Sequence, residues 1–250
     1  MKIIFLFLFY FISFSVLAQD VNLLLKEADN FERQFKEDDA LNKYKQILLV
    51  DGNNVKSLVK ATELSCSAGE RLLNKNDKRI YFESALAFSD RAIAADSINA
   101  DAFYAKSLAC NKMIAIETEN KKVNTFIRDS KLNADKALKL NSNHAKANFM
   151  EGKWHYEMIT LNWAKRFAVK TFYGGLPEAD LDKAIIYFEK CRTNDPYFVL
   201  NGLMLAKAYK LNNRPAQTIE ILKRVVKMPV RTFDDNALKA EAQKLLQDLE

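Results

Sequence analysis

The sequence has few of the residues on which catalytic and metal sites depend. Its two histidines, His144 and His155, stand alone, and its three cysteines, Cys66, Cys110 and Cys191, form no CxxC pair. These counts and spacings do not fit a zinc site. The chain also lacks the GxSxG, HExxH, phosphate-loop and dinucleotide-binding motifs, which carry common hydrolytic and nucleotide chemistries. We therefore expect a non-enzymatic protein with no catalytic residue, no metal site and no cofactor.

Glycine and proline are also scarce, with six glycines and four prolines in 250 residues. Both residues interrupt helices, and between Gln19 and Glu151 only Gly52 and Gly69 do so. Alanine, leucine, lysine and glutamate, which favour helices, are abundant. Because no alternating strand pattern is present, the sequence predicts an all-α protein.

One helical pattern occurs five times. It combines a small residue, an aromatic or apolar residue and a second small residue, and a turn rich in Asn, Ser or Pro follows it. The five copies occupy residues 40–47, 89–96, 134–141, 184–191 and 218–225. Each copy is typical of the second helix of a helical hairpin, and repeated hairpins stack into an α-solenoid. Repeats of this kind shape binding surfaces more often than active sites.

The register of these copies also locates the first helix of each hairpin. The first helices are predicted to start near Val21, Val55, Ala100, Ala145 and Val199. The intervals are 34, 45, 45 and 54 residues, and 34 is the length of a tetratricopeptide repeat. The sequence therefore predicts a tetratricopeptide-like α-solenoid with elongated middle repeats. The extra residues are expected between the two helices of a hairpin, around 73–78, 117–123 and 162–177.

The end of the chain is predicted to close the stack. Residues 233–249 form a helical pattern, and a capping helix is needed because a terminal repeat otherwise exposes its apolar face. Asp234 and Asp235 stand at the start of this helix and are interpreted as capping residues.

The N-terminus is typical of a secretory signal peptide. Lys2 precedes an apolar run at residues 3–16, and a cleavage site at Val16, Leu17 and Ala18 precedes Gln19. This pattern predicts removal of residues 1–18 and a single mature domain at 19–250, periplasmic or secreted. The alternative is a retained anchor, although a membrane span needs about 20 apolar residues and this run is shorter.

The charge excess is small. The 38 basic and 32 acidic residues give a net charge of +6, and loss of Lys2 leaves +5, so we expect no nucleic-acid partner.

Basic residues are densest between Val199 and Arg231, where they form either a solvent-exposed face or a surface for acidic partners or anionic lipids. Residues 163–177 interleave aromatic and basic side chains, which indicates packing over the neighbouring hairpin or contact with a membrane surface.

The cysteines have two interpretations. Cys191 occupies a small buried position of its repeat, as an inert thiol would. Cys66 and Cys110 fall late in the first helices of neighbouring repeats, where an oxidising compartment would allow a disulfide between them. The sequence leaves this pairing open.

Four segments in the C-terminal half carry a resemblance to a known family. They are residues 172–190, 194–198, 203–213 and 228–246, with a Gly-Gly/Pro insert, a repeat, a PVRTFDD turn and a closing EAxxLL helix. In this order they resemble the tetratricopeptide-like regulator of microtubule dynamics family, which has exported bacterial members. The match is specific over residues 134–246 and generic before them.

This resemblance implies the helical-repeat fold and a scaffold role. An exported protein does not meet cytoskeletal tubulin, so the microtubule function of the family name is not expected here. The periplasmic T-component associated with TRAP transporters is a second, less closely matched tetratricopeptide-like relative. It implies an alternative function, as a periplasmic accessory protein that binds a small molecule or a lipid.

The predicted site is the concave groove, which the first helices line. Near its N-terminal end the groove carries Asp29, Glu32 and Glu63, and near the other end it carries Lys146, Lys153, Tyr156, Lys207 and Lys210. Clustered lysines would hold a carboxylate of a protein or peptide partner by charge-assisted hydrogen bonds. The alternative is that these residues are solvated helix faces.

The ligand-binding alternative uses three further residues of the predicted groove. Tyr104, Phe149 and Leu203 would enclose an apolar pocket for a small hydrophobic molecule between the long helices of the middle repeats. A wet, charged groove favours the scaffold, whereas a closed aromatic tunnel favours the accessory protein.

Overall fold

The computed structural model describes residues 21–162, 166–167, 169–171 and 178–249. Its main helices are α1 (residues 21–33), α2 (Glu37–Val50), α3 (Val55–Arg71), α4 (Lys75–Ala95), α5 (Ala100–Ile116), α6 (Asn120–Leu140), α7 (Ala145–Thr160), α8 (Leu181–Asn194), α9 (Val199–Leu211), α10 (Pro215–Lys227) and α11 (Asp235–Gln247). No strand occurs in these ranges, so the all-α prediction is confirmed. The predicted signal peptide and most of the 163–177 insert lie outside the described residues.

α3, α5 and α7 each begin directly after a residue whose side chain caps the helix. Asn54 accepts a hydrogen bond from Ser57 N at 3.0 Å to start α3, and Asn99 accepts one from Ala102 N at 3.2 Å to start α5. The imidazole of His144 caps α7 in the same way through Nδ1. Such side chains satisfy N–H groups that have no partner within the helix. The starts of α3, α5 and α7 thus follow from local chemistry.

The second and third hairpins are elongated through longer helices. α4 and α6 are each 21 residues long, whereas α2 has 14. Only residues 72–74 and 117–119 separate the two helices of these hairpins. The predicted inserts around 73–78 and 117–123 are therefore wrong. The extra residues continue the helices because no glycine or proline stops them.

The helices stack with the first helix of each hairpin on the inner side. α3 packs on α4, α5 on α6, α7 on α8 and α9 on α10. Successive first helices also pack on one another, α3 on α5, α5 on α7 and α7 on α9. The capping helix α11 covers α9 and α10. The first helices consequently line the concave surface of the solenoid.

Glycines allow the paired helices to approach closely. A Cβ atom at Gly152 of α7 would lie 2.7 Å from the ring of Phe188 on α8. A Cβ atom at Gly69 of α3 would lie 2.6 Å from Phe82 on α4. Both phenylalanines are fully buried, so each ring occupies the space that a larger residue would need.

Two further properties of the described residues concern the length of the helices and the state of the cysteines. None of the helices in the described ranges is long and apolar enough to cross a bilayer. Cys66, Cys110 and Cys191 are buried and hold free thiols, so the structure contains no disulfide between Cys66 and Cys110.

Candidate functional site

The concave surface begins with a charged network on α1 and α3. The hydroxyl of Tyr44, on α2, lies 2.8 Å from an Asp29 oxygen and 2.5 Å from a Glu32 oxygen, so its one hydrogen is shared between the two carboxylates. Lys56 and Lys60 of α3 pair with Asp29 and Glu32, each at 2.8 Å. Burial and the neighbouring carboxylates raise the pKa of Tyr44 far above its usual value. Lysines of the second repeat thus balance the acidic residues predicted at this end of the groove.

The third acidic residue, Glu63 on α3, pairs with Lys146 at the start of α7. The Lys146 ammonium also lies 5.6 Å from the ring centroid of Tyr104, on the intervening helix α5. Burial alone would raise the pKa of Glu63, but Lys146 and Lys60 favour the charged form and lower it. The pair joins residues 83 positions apart, which requires strong curvature of the stack.

The turn before α11 folds back onto the N-terminal hairpins. Arg71, the last residue of α3, pairs with Asp234 at 3.1 Å and with Glu37 of α2 at 2.6 Å. Its guanidinium carbon lies 4.7 Å from the ring centroid of Phe233, a cation–π distance. Arg71 therefore fastens the C-terminal turn to the first two hairpins.

Asp235 holds this turn in shape. Its carboxylate, 3% exposed, accepts hydrogen bonds from the backbone N–H groups of Arg231 and Thr232 at 2.7 and 2.9 Å, and from the Thr232 hydroxyl at 2.7 Å. Asp234 is the N-cap residue of α11 and Asp235 lies in its first turn, as predicted, but neither side chain accepts a hydrogen bond from the first N–H groups of the helix. The backbone of the preceding turn offers Asp235 closer donors, and Arg71 binds Asp234.

A cavity of about 540 Å³ lies between the two ends of the stack, and we call it the terminal cavity. Its lining comprises Asp29, Glu32, Arg33, Phe35, Glu37, Lys60 and Leu64 on one side and Val230, Arg231 and Thr232 on the other. Phe35, Leu64 and Val230 supply its apolar surface. Most of the charged lining residues form ion pairs within the chain. The apolar side chains are therefore the main surface available for further contacts.

Phe35 enters this cavity from a strained turn. Its φ angle is 59°, in the left-handed region, and the turn is closed by hydrogen bonds from Phe35 N to Glu32 O and from Lys36 N to Phe31 O, each of 3.0 Å. Glycine is the usual residue at this position of a helix C-terminus, and a bulky residue there is an outlier. The residue is 38% exposed. A strained residue that presents an aromatic ring to a cavity indicates a functional constraint.

The two predicted groove lysines of α9 have different environments in the structure. Lys207 pairs with Glu241 of the capping helix at 2.6 Å, whereas Lys210 is exposed. Two other cations of the basic last repeat, Arg214 and Arg231, are also in ion pairs. Much of the positive charge in this repeat is therefore balanced within the chain.

The residues of the predicted apolar pocket build the core. Tyr104, Phe149 and Leu203 are 6%, 4% and 1% exposed and belong to one core cluster, and Tyr156 is half-buried against it. None of these four residues lines the terminal cavity or the second cavity, which is described next. These aromatic and aliphatic side chains fill the space between α5, α7 and α9 instead of enclosing a ligand.

Lys153, predicted in the groove, lines a second cavity of about 740 Å³. This cavity lies where the last turns of α5 and α7 meet the first turns of α6, and we call it the middle-repeat cavity. The Lys153 ammonium donates to Asn111 Oδ1 at 2.8 Å and lies 3.5 Å from the Glu157 carboxylate. The elongated helices of the middle repeats thus build a cavity of their own.

Sequence reasoning missed Phe35, Leu64 and Val230. The PVRTFDD turn is recognisable as a family feature, but nothing in its sequence shows that it returns to α1 and α3. A bulky residue at the end of α1, where glycine is usual, was an available signal.

Histidine and the acidic side chains are the remaining candidates for a chemical site. Within the described ranges, no group of three or more His, Cys, Asp and Glu side chains could hold a metal ion. His155 accepts a hydrogen bond from Asp180 N through Nδ1 at 3.3 Å and stacks on Tyr187 with ring centroids 5.9 Å apart. Burial and nearby lysines lower the pKa of His155 to about 4, which keeps it a neutral structural residue.

Comparisons with known proteins identify relatives. A family model described as "Regulator of microtubule dynamics protein 1-3" matches residues 24–250. Regulator of microtubule dynamics protein 1 of Mus musculus is 26% identical over 179 residues, which cover 70% of this chain and 58% of the mouse protein. Regulator of microtubule dynamics protein 3 of Bos taurus is 22% identical over 231 residues, 91% of this chain and 49% of that protein. The chain thus spans about half the length of these relatives.

A solved structure supports the fold. The thermophilic TPR protein TTC0263 of Thermus thermophilus superposes with a TM-score of 0.65 at 12% identity, covering 90% of this chain and 99% of that chain. The predicted tetratricopeptide-like solenoid is therefore confirmed.

Proposed function

Since the chain belongs to the regulator of microtubule dynamics protein 1-3 family, we propose that it is a helical-repeat scaffold that binds a segment of a protein partner. Binding would occur on the concave surface, with the terminal cavity as the anchoring point. No chemical step is involved, and affinity comes from shape and charge complementarity on a preformed surface.

The observation that carries this proposal is the position of Phe35. A phenylalanine in the left-handed region costs about 1–3 kcal/mol relative to a relaxed conformation. Its burial within the chain is incomplete, because the residue remains 38% exposed. A partner side chain packed on the ring would supply the missing contact, as aromatic anchors do at interfaces.

The remainder of the cavity suggests what the partner segment contains. Leu64 and Val230 lie with Phe35 in the lining and suit an apolar side chain. Arg33 is exposed on the same lining and suits a nearby acidic residue or a C-terminal carboxylate. The proposed ligand is therefore an extended peptide with an apolar anchor next to an acidic group.

The test begins by selecting short random peptides against residues 19–250. The best peptide is then titrated by calorimetry against the wild type and Phe35→Gly. Glycine tolerates the same φ angle, so this variant removes the ring while it preserves the turn. We expect at least tenfold weaker binding with no loss of thermal stability.

Two further variants complete the design. Arg33→Glu should weaken binding of the same peptide and spare a peptide whose acidic group is amidated or replaced. Leu49→Ala alters an apolar side chain that is 87% exposed on the outer helix α2 and should leave binding unchanged. Equal affinity for the wild type, Phe35→Gly and Arg33→Glu would reject the terminal cavity as the site.

The lysine clamp predicted from the sequence remains part of the proposal through Lys210. Because Lys207 is paired with Glu241, its replacement would disturb the capping helix. Lys210→Glu alone is therefore the informative variant. Reduced binding of an acidic peptide by Lys210→Glu would extend the interface to α9, whereas an unchanged affinity would confine it to the terminal cavity.

We also propose that the protein acts outside the cytoplasm. The support is the sequence pattern of Lys2, the apolar run and the cleavage site before Gln19. Full-length protein produced in bacteria should appear in the periplasmic or secreted fraction with Gln19 as its first residue by N-terminal sequencing. Cytoplasmic protein that retains Lys2 would contradict export.

A further inference from the structure

The two sides of the terminal cavity come from opposite ends of the chain. One side is formed by residues between Asp29 and Leu64, and the other by Val230, Arg231 and Thr232. The cavity therefore keeps its shape only while the two ends of the stack hold their present spacing. Whatever sets this spacing also sets the width of the cavity.

The side formed by residues 230–232 is attached to the last repeat. Asp235 accepts a hydrogen bond from Arg231 N at 2.7 Å, and the Arg231 guanidinium pairs at 2.8 Å with Asp195, directly after α8. The capping helix α11 in turn packs on α9 and α10. Residues 230–232 are thus held as one body with the C-terminal helices.

The opposite side is attached to the first two hairpins. Asp29 and Glu32 of α1 pair with Lys56 and Lys60 of α3, each at 2.8 Å, and α2 packs on α3. This side is therefore held as a second body, which consists of the N-terminal helices.

Arg71 connects the two bodies from outside the lining of the cavity. Its Nη2 lies 2.6 Å from the carboxylate of Glu37, a lining residue, and its Nη1 lies 3.1 Å from Asp234. The ring centroid of Phe233 lies 4.7 Å from the guanidinium carbon. Partly exposed ion pairs are weak compared with the helix packing that joins successive hairpins. The connection can therefore open and close while every hairpin stays folded.

We propose that the solenoid acts as a clamp, in which Arg71 holds the two ends at the spacing that forms the terminal cavity. Arg71 is then a positioning residue, which supports partner binding without touching the partner. The clamp rests on the proposed peptide-binding function, because it regulates the same site. A segment that contacts both sides of the cavity stabilises the closed spacing, and the closed spacing strengthens binding by the same factor.

The spacing is measured first, without peptide. Spin labels on Asn42→Cys of α2 and Ala240→Cys of α11, both exposed positions, report the distance between the two ends by double electron–electron resonance. The native cysteines are buried, so brief labelling selects the introduced ones. Asp234→Ala leaves the pair of Arg71 with Glu37 in place and should broaden or lengthen the distance distribution. A distribution that neither Asp234→Ala nor Arg71→Ala changes would overturn the role of Arg71.

Binding is then titrated by calorimetry with the peptide selected against the wild type. We expect Asp234→Ala and Arg71→Ala to bind it about three- to fivefold more weakly, because the lost pair is partly exposed. Saturating peptide should restore the narrow distribution in Asp234→Ala. Equal affinity of the wild type and both variants would overturn the clamp and leave the proposed function intact. If no peptide binds the wild type, the proposed function fails and the clamp fails with it.

Arg214→Ala is the matched control. Arg214 pairs with Asp182 at 3.1 Å and lies 6.0 Å from the ring centroid of Tyr209, so this variant removes a similar set of contacts away from the terminal cavity. It should change neither the distance nor the affinity, and a loss of binding equal to that of Asp234→Ala would overturn the clamp.

Salt separates the ion pair from other effects of the substitution. In about 1 M salt, which screens exposed charges, the difference in affinity between the wild type and Asp234→Ala should disappear. A difference that persists would overturn the assignment of the spacing to the pair of Arg71 and Asp234.

Discussion

Arg71 and Asp234 form an ion pair of 3.1 Å between residues 163 positions apart. The same guanidinium pairs with Glu37 and lies over Phe233. In an open solenoid each repeat contacts only its neighbours. Here one side chain joins the first two hairpins to the turn that precedes the last helix.

This junction should be measurable as a coupling between distant residues. In a double-mutant cycle of Arg71→Ala and Asp234→Ala, we expect a coupling free energy of about 0.5–1 kcal/mol, because the pair is only partly exposed. Urea denaturation at low and high salt measures it, and salt should weaken the coupling. The local pair Lys122–Glu119 at the start of α6 is the reference cycle. A coupling of zero would mean that the turn is held by its own contacts alone.

The close approach of α7 and α8 predicts that replacing Gly152 by alanine lowers the free energy of unfolding. Gly152→Ala gains about 1 kcal/mol of helix propensity, but the new methyl group would meet the Phe188 ring at 2.7 Å. Overpacking of this kind costs about 1–3 kcal/mol. We therefore expect net destabilisation in urea titrations.

Gly52→Ala is the control for this substitution. A Cβ atom there would meet only ordinary contacts, the nearest at 3.6 Å from an Arg91 nitrogen. Its stability should equal or exceed that of the wild type. If Gly152→Ala were as stable as Gly52→Ala, the spacing of α7 and α8 would have to differ from the one described.

Glu151 predicts a pH dependence of stability. It is fully buried on α7, and its carboxylate lies 3.0 Å from the Lys131 ammonium. Burial outweighs the attraction to Lys131 and raises the pKa of Glu151 to about 7. Its pKa in the unfolded chain is the ordinary 4.5. Between these values the unfolded chain has released a proton that the folded protein still holds, so the contribution of Glu151 to stability falls as the pH rises from 4.5 to 7.

Glu151→Gln removes this dependence. Relative to the wild type, its free energy of unfolding should increase progressively between pH 4.5 and 7, by at most about 3 kcal/mol. Urea denaturation over this pH range gives the profile. Glu220→Gln, at an exposed position on α10, should give a curve parallel to that of the wild type. Parallel curves for both variants would show that Glu151 ionises normally in the fold.

The burial of the thiols predicts that the cysteines react slowly with alkylating reagents. Burial raises the pKa of Cys66 and of Cys110 to about 12, and the thiolate is the reactive form. Iodoacetamide at pH 8 should therefore modify these cysteines slowly in the native protein and quickly in urea. Intact mass should not change on reduction. A gain of two hydrogens would instead reveal a disulfide.

The sequence predicts the elements of this fold well because their signals are local. Asn54 and Asn99 accept from N–H groups three residues later, so a helix start is visible within one turn of sequence. This feature does not depend on the rest of the chain.

The binding surfaces are harder to predict because they depend on curvature. Glu63 meets Lys146, and Arg71 meets Asp234, only when several hairpins have stacked at particular angles. Phe149 is predicted in the groove although it lies in the core, because α7 buries side chains around most of its circumference. Periodicity cannot distinguish the inner face of such a helix from its core face.

The contact between Glu63 and Lys146, with Tyr104 beneath it, also limits how this architecture can change its length. Repeat arrays commonly gain or lose single modules because each module is interchangeable with the next. Here the third hairpin is held between residues of the second and the fourth, so excising or duplicating it would separate Glu63 from Lys146 and leave it with Lys60 alone. A change in the number of repeats between the second and the fourth hairpin would therefore break a contact that joins their first helices.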